Sequence, residues 1–223
     1  MKLYLKNHAE RYPVEQLQLQ LFAQEPSEFC AEPFTGDGTV SSLSRGKRYL
    51  TATAKVTYQG KTGFASNRVL LEKDDVRATR RILQRSYYLA ALQVLPAAPP
   101  WGALSGVRPT KLSTKCLMAG GSERDAERLL RQTYFVSPER ARLCVDASRH
   151  TVEAAKKLDA DDLSVYIGIP FCPTRCAYCS FVSQSIERFG EFLPAYLDAL
   201  LREIAHTGAL LKDSGFHIRT LYM

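Results

Sequence analysis

Residues 163–181 read LSVYIGIPFCPTRCAYCSF, an apolar, β-prone run that stops at a proline and opens into a segment holding three of the chain's six cysteines. Leu163, Val165, Tyr166, Ile167 and Ile169 form the nearly continuous apolar pattern of a strand covered on both faces in a parallel sheet. Pro170 lacks an N–H for the ladder and ends it. A helix is expected over residues 191–211, where Phe192, Leu193, Tyr196, Leu197, Leu200, Ile204 and Leu211 give a broad apolar face, and a second strand over residues 217–223. Strand, helix and strand make one βαβ unit, in which ligands gather beyond the carboxyl ends of the strands. The cysteines lie there.

Cys172, Cys176 and Cys179 are four and then three residues apart. That spacing matches neither one helix face nor alternate positions of a strand, and Pro173 holds the residue before it extended, so the segment must loop around something. A structural zinc ion takes four closed ligands. No fourth Cys or His stands nearby in sequence, His206 being well down the next helix; the distant Cys30, Cys116 or Cys144 would have to complete a zinc site. Three thiolates suit a cubane iron–sulfur cluster equally well and leave one iron open to substrate or cofactor.

The start, MKLYLKNHAERYPVEQ, has no signal-peptide core, and no run of about 18 apolar residues occurs, so a cytoplasmic protein without membrane association is expected. In that reducing setting clustered cysteines serve metals or catalysis more often than disulfides. The net charge of +7 favours anionic partners without choosing among them.

Upstream, residues 2–6 read as a strand and Val14, Leu17, Leu21 and Phe22 as a helix after Pro13. Residues 49–58 alternate Leu50, Ala52, Ala54, Val56 and Tyr58 against Thr51, Thr53, Lys55 and Thr57 and turn at Gln59-Gly60 into a β-hairpin. Residues 32–46, rich in Gly, Ser and Pro, read as a loop. Residues 74–95 form a helix whose Arg77, Arg80, Arg81 and Arg85 make a solvated face. A Pro- and Gly-rich break follows. Ser122 and Asp125 have capping-box spacing, and Ser137-Pro138 opens a helix to about residue 158. Cys30, Cys116 and Cys144 read as small buried hydrophobes.

The pattern C-x-x-x-C-x-x-C after a first strand, with Tyr178 just before the last cysteine, resembles the signature of the radical S-adenosylmethionine superfamily. The resemblance implies that Cys172, Cys176 and Cys179 hold a [4Fe-4S] cluster whose open iron is chelated by the amino and carboxylate groups of S-adenosyl-L-methionine. Reductive cleavage then yields a 5′-deoxyadenosyl radical that abstracts hydrogen from substrate. "YIGIPFC" is similar to the Y-I-x-I-P-F-C of oxygen-independent coproporphyrinogen III oxidases, whose tyrosine, here Tyr166, lies by the cofactor. "WGALSGVRPTKL" with "CPTRCAYCSF" resembles their HemZ-like, coproporphyrinogen dehydrogenase branch. The likeness is strong over residues 164–183 and moderate over residues 101–163; upstream it extends only to the order of elements.

On this likeness the fold is α/β. An α+β accessory domain over residues 1–160 precedes the first βαβ unit of a radical SAM partial TIM-type barrel over residues 161–223, truncated where the family continues into a Gly-Gly-Gly-Thr-Pro turn and further strands. The implied parent is a radical SAM oxidoreductase of haem biosynthesis. It removes hydrogen from the propionates of a porphyrinogen substrate, so that carbon dioxide leaves and vinyl groups remain, with an electron donor as partner; the chain alone is expected to be inactive. Tyr166 and Tyr178 would flank the cofactor; Arg175 would offset cluster charge or, as is commoner, be an ordinary exposed loop arginine, and Arg108 and Lys111 would meet substrate carboxylates or, equally, belong to a loop packed against the barrel. No acid–base or nucleophilic triad is visible, and His8, His150, His206 and His217 read as ordinary helix or loop residues. The oxidase branch carries a further cysteine two positions after the third, where this chain has Phe181, which leaves a haem-binding chaperone as the alternative. An RNA-modifying radical enzyme is a third reading, but no aromatic and basic interleaving of the RNP kind is present, and nucleic acid is not an expected partner.

Overall fold

The structure, a computed structural model, describes residues 1–71, 76–177 and 179–223. The chain divides into two compact units, Met1–Glu153 and Ala154–Met223. Both mix helix and strand.

The first unit is built on a five-stranded mixed sheet, β1 (Lys2–Lys6), β2 (Glu28–Cys30), β3 (Gly38–Arg45), β4 (Tyr49–Tyr58) and β5 (Lys61–Leu70), in the order β2-β1-β3-β4-β5. β1 runs parallel to both neighbours, and β3, β4 and β5 are antiparallel. The alternation in β4 does what its pattern implies: Leu50, Ala52, Ala54 and Val56 are buried. The hairpin turns on Gln59 and Gly60, both at positive φ (49° and 76°), the pairing whose twist matches the flanking strands. Helices α1 (Arg11–Leu21) and α2 (Val76–Ala91) bury Val14, Leu17, Leu83, Tyr87 and Tyr88 in the same core. The expected start of α2 at Asp74 lies outside the described residues.

Residues 32–46 are not simply a loop, because they contain β3, which sits between β1 and β4. Its core-facing positions include Thr39 and Ser41, buried at 0% and 1% exposure, so the strand lacks the apolar alternation by which a strand is recognised. Cys30 is half-buried on edge strand β2 and Cys116 half-buried beside the helical core, so neither is the fully buried residue expected; Cys144 is, at 2% exposure. Burial pushes the Cys144 thiol up. On α2, Arg77, Arg80 and Arg81 are exposed as expected. Arg85 departs from that face: it donates to Asn67 Oδ1 and to the Gln132 carbonyl, each at 3.1 Å.

A second core lies under α3 (Pro109–Met118), α4 (Glu123–Arg128), a π-helical turn (Leu129–Thr133) and α5 (Pro138–Ala155). It gathers Leu104, Ala126, Leu130, Val136, Ala141 and Cys144. The Ser122–Asp125 capping box forms in full.

His8 is half-buried, with Nε2 at 3.2 Å from Ser41 Oγ and Nδ1 without a partner. Burial lowers its pKa, although the Ser41 carbonyl and Glu10 act the other way. The folded state then binds fewer protons here than the unfolded state, so stability is full above the unfolded value near 6.5 and falls as pH drops below it. Thermal melts of His8→Asn should lose part of the wild type's decline between neutral and mildly acid pH; an unchanged decline contradicts this assignment.

In the second unit β6 (Asp162–Tyr166) pairs in parallel with β9 (His217–Tyr222). Between them come β7 (Phe171–Cys172), β8 (Gln184–Ser185), α6 (Ile186–Phe189), a 3₁₀ turn (Gly190–Phe192) and α7 (Leu193–Lys212). The βαβ order matches the sequence pattern, but β6 stops at Tyr166 and is not covered on both faces. Tyr166 is 69% exposed, and no described residue of this unit is buried. One neighbouring strand and one helix leave the other face and the strand edges open. Even between the sheet and α7 a hollow of about 500 Å³ remains, lined by Val165, Ile167, Leu200, Ile204 and Leu221 among others. Among the described residues no helix is long and apolar enough to cross a membrane.

Candidate metal centre

The loop is pinned at its base before any metal is considered. Phe171 and Cys172 pair in parallel with Gln184 and Ser185, and the Gln184 N–H donates to the Pro170 carbonyl at 2.6 Å. The segment before the loop is tied to α7, where the Tyr196 hydroxyl donates to the Gly168 carbonyl and its ring lies 5.3 Å from Phe171. Residues 173–183 therefore leave and return at one place, beyond the carboxyl end of β6. Within them the Cys179 N–H donates to the Cys176 carbonyl at 3.0 Å, a tight turn between the second and third cysteines.

Cys172 and Cys179 are half-buried, Cys176 is exposed, and all six cysteines are free. Among the described residues no three His, Cys, Asp or Glu side chains are drawn together as a metal site, so the loop brings the thiols into one segment without closing them around a point. In chemistry the donor set fits an iron–sulfur cluster: three soft sulfur donors as free, reduced thiols, partly open to solvent.

Beside Cys172 lies a polar hollow of about 460 Å³, whose lining includes Arg175, Ser185, Glu187 and Arg188. Arg175 lines this hollow and is exposed, as an ordinary loop arginine is. Arg188 and Ser185 were not legible in sequence, because they reach the loop only through the β7–β8 pairing. Tyr166 is not in this hollow. Its ring stacks on Tyr222 at 5.5 Å and 17°, and it lines the hollow beneath α7. Tyr178 lies outside the described residues. Arg108 and Lys111 belong to the first unit, on a shallow hollow along α3 with Thr110, Lys115 and Thr151. His150 and His217 are exposed beside carboxylates and His206 is exposed on α7.

The second unit is thus a parallel βαβ unit with a three-cysteine loop beyond the carboxyl end of its first strand. The chain is similar to the oxygen-independent coproporphyrinogen-III oxidase-like protein HemZ of Bacillus subtilis (strain 168), with 31% identity over 216 residues. The match takes in 93% of this chain and 41% of the relative, so the chain spans about two fifths of that protein's length. The likeness to the HemZ-like branch read from residues 101–183 therefore holds over nearly the whole chain. No family model matches the chain, and no solved structure does.

Proposed function

We propose that this chain is the cluster-bearing part of a coproporphyrinogen-III oxidase-like radical enzyme, with Cys172, Cys176 and Cys179 as ligands of a [4Fe-4S] cluster. The observation that carries the reading is the loop itself: three free thiols at the spacing C-x-x-x-C-x-x-C, pinned at their base beyond the end of a parallel strand. When bound, the cluster would supply an electron to S-adenosyl-L-methionine and so the radical that starts oxidative decarboxylation of a porphyrinogen propionate. The protein's own part is positional. The β7–β8 pair fixes Cys172, the turn at Cys176 and Cys179 sets the other two, and Arg175 and Arg188 place positive charge beside a site that gains negative charge on reduction. Tyr166, at the end of β6, and Tyr178 would line the cofactor.

The residue range 161–223 is read as the first step of a partial barrel, with residues 1–160 as an accessory domain, in a cytoplasmic enzyme served by an electron donor. Further strands and helices would cover the open face of β6 and β9 and shield the cluster. Without that cover, the 223-residue chain should hold iron and sulfide at well below one cubane per chain and turn nothing over. A near-stoichiometric EPR signal that changes on adding S-adenosyl-L-methionine overturns the expected inactivity.

Phe181, 78% exposed where the oxidase branch has a cysteine, favours a second reading, a haem-binding chaperone of the same superfamily. Haem titration against an assay of protoporphyrinogen formation separates the two.

A further inference from the structure

On β4, Leu50, Ala52, Ala54 and Val56 fill the core, and the alternate residues Thr51, Thr53, Lys55 and Thr57 face the other way with none of them buried. That second face of the first unit's sheet is polar and open. Its register lines up residues from four strands: Tyr4 stands beside Val40, Val40 beside Lys55 and Lys55 beside Phe64. One row thus crosses β1, β3, β4 and β5 with an aromatic ring at each end and a cation between them. Three strand spacings separate the rings by about 14 Å.

Both rings are available. Phe64 is 59% exposed and Tyr4 half-buried, and neither meets another ring or a cation among the described residues. Tyr49, on the same face, is different, because the Arg68 guanidinium already lies 4.8 Å from its ring centroid. Phe64 is held in place from the edge of the sheet: Gln93 Oε1 accepts its N–H at 3.2 Å and Gln93 Nε2 donates to its carbonyl at 2.8 Å. The same side chain occupies the outer hydrogen-bonding groups of β5 at that rung, so a further strand cannot pair there. What Phe64 offers a partner is its ring.

The charge on this face is one-sided. Lys2, Lys6, Lys55 and Arg68 share it, and the carboxylate among its strand residues is Glu28, at the edge beside Lys2. The row next to the aromatic one runs Lys6, Ser42, Thr53 and Ser66, three hydroxyls and a cation. An apolar partner would leave those hydroxyls without water or hydrogen bonds. A polyanion with flat, stackable faces and polar edges meets cations, hydroxyls and rings together. Those faces are open to side-chain rings in a single strand and closed by neighbouring base pairs in a duplex.

We propose that this open sheet face binds single-stranded nucleic acid, with bases stacked on Tyr4 and Phe64 and phosphates beside Lys6, Lys55 and Arg68. The chain has no aromatic and basic interleaving of the RNP kind along its length, so the sequence points away from such a partner. Strand pairing supplies the interleaving instead. The face lies wholly in the first unit and owes nothing to the cysteine loop.

The test is fluorescence anisotropy of a labelled, mixed-sequence single-stranded RNA titrated with the 223-residue chain. Saturable binding is expected, with log affinity falling linearly as log salt rises. Phe64→Ala should weaken it at least about fivefold, the loss of one stacked base. Lys55→Gln/Arg68→Gln should weaken it too and flatten the salt dependence by a slope of about 1.4, two phosphate contacts on a single strand. Arg124→Gln/Arg128→Gln removes the same charge from α4 and should leave binding unchanged. Circular dichroism melts confirm that the variants are folded. The proposal is overturned by no saturable binding, by equal affinity for the duplex of the same sequence, by binding of phosphatidylserine vesicles but not RNA, by unchanged affinity of Phe64→Ala, or by an equal loss in the α4 variant.

Discussion

Gly63→Ala is expected to destabilise the first unit by about 3 kcal/mol, the upper part of the usual range for overpacking. Gly63 sits on the core face of β5, where α2 crosses the sheet at backbone contact. A Cβ there would stand 2.0 Å from the Ala90 carbonyl oxygen and 2.9 Å from Gln93 Cβ. The first obstacle is backbone of a helix that also holds Tyr87 and Tyr88, at 0% and 1% exposure, so α2 cannot yield without disturbing the largest side chains of the core. For a chain of this size the loss corresponds to a fall in melting temperature of about 6–12 °C. Gly208→Ala on α7 is the control: nothing lies within 4 Å of its added Cβ, and the exchange should be neutral or favourable by up to about 1 kcal/mol. Equal melting temperatures for Gly63→Ala and wild type would contradict the packing described.

The second large effect concerns metal. Cys172→Ser, Cys176→Ser and Cys179→Ser are each expected to remove most of the iron and sulfide that the chain takes up on anaerobic reconstitution, at least a tenfold loss. A serine hydroxyl stays protonated near neutral pH and is a hard donor, whereas thiolate sulfur is what holds an iron–sulfur cluster. Cys30→Ser and Cys116→Ser lie in the first unit, far along the chain from the loop, and should leave uptake unchanged. Arg188→Gln offers a finer probe, because it keeps the three thiols and removes one positive charge from the hollow beside Cys172. Should a cluster assemble, its reduction potential should become more negative.

How much of this was legible in sequence depended on whether the signal was local. The β4–β5 hairpin was, because Leu50, Ala52, Ala54 and Val56 alternate and Gln59-Gly60 supplies the two positive-φ residues of the turn. The α4 capping box was, because Ser122 and Asp125 are three residues apart. β3 was not: its buried positions carry hydroxyls, and only its neighbours β1 and β4, brought in by tertiary structure, make it a strand. The cysteine loop announced itself by spacing, whereas Arg188 joined it through a parallel pair of strands whose partners stand 13 residues apart, Phe171 with Gln184 being the first rung. The aromatic and basic row on the first unit's sheet was invisible for the same reason, since Tyr4, Val40, Lys55 and Phe64 meet only after their strands pair. The apolar run at residues 163–169 did predict a strand, and its open face follows from having one strand and one helix as neighbours.

The most direct test of the assignment of Cys172, Cys176 and Cys179 as one iron–sulfur ligand set is EPR of the reduced, anaerobically reconstituted chain beside its three single serine variants, with iron, sulfide and zinc measured on the same samples. The predicted result is a substoichiometric [4Fe-4S] signal in wild type that disappears in every one of the three variants. A signal that survives in all three, or uptake of zinc with no sulfide by wild type, contradicts it.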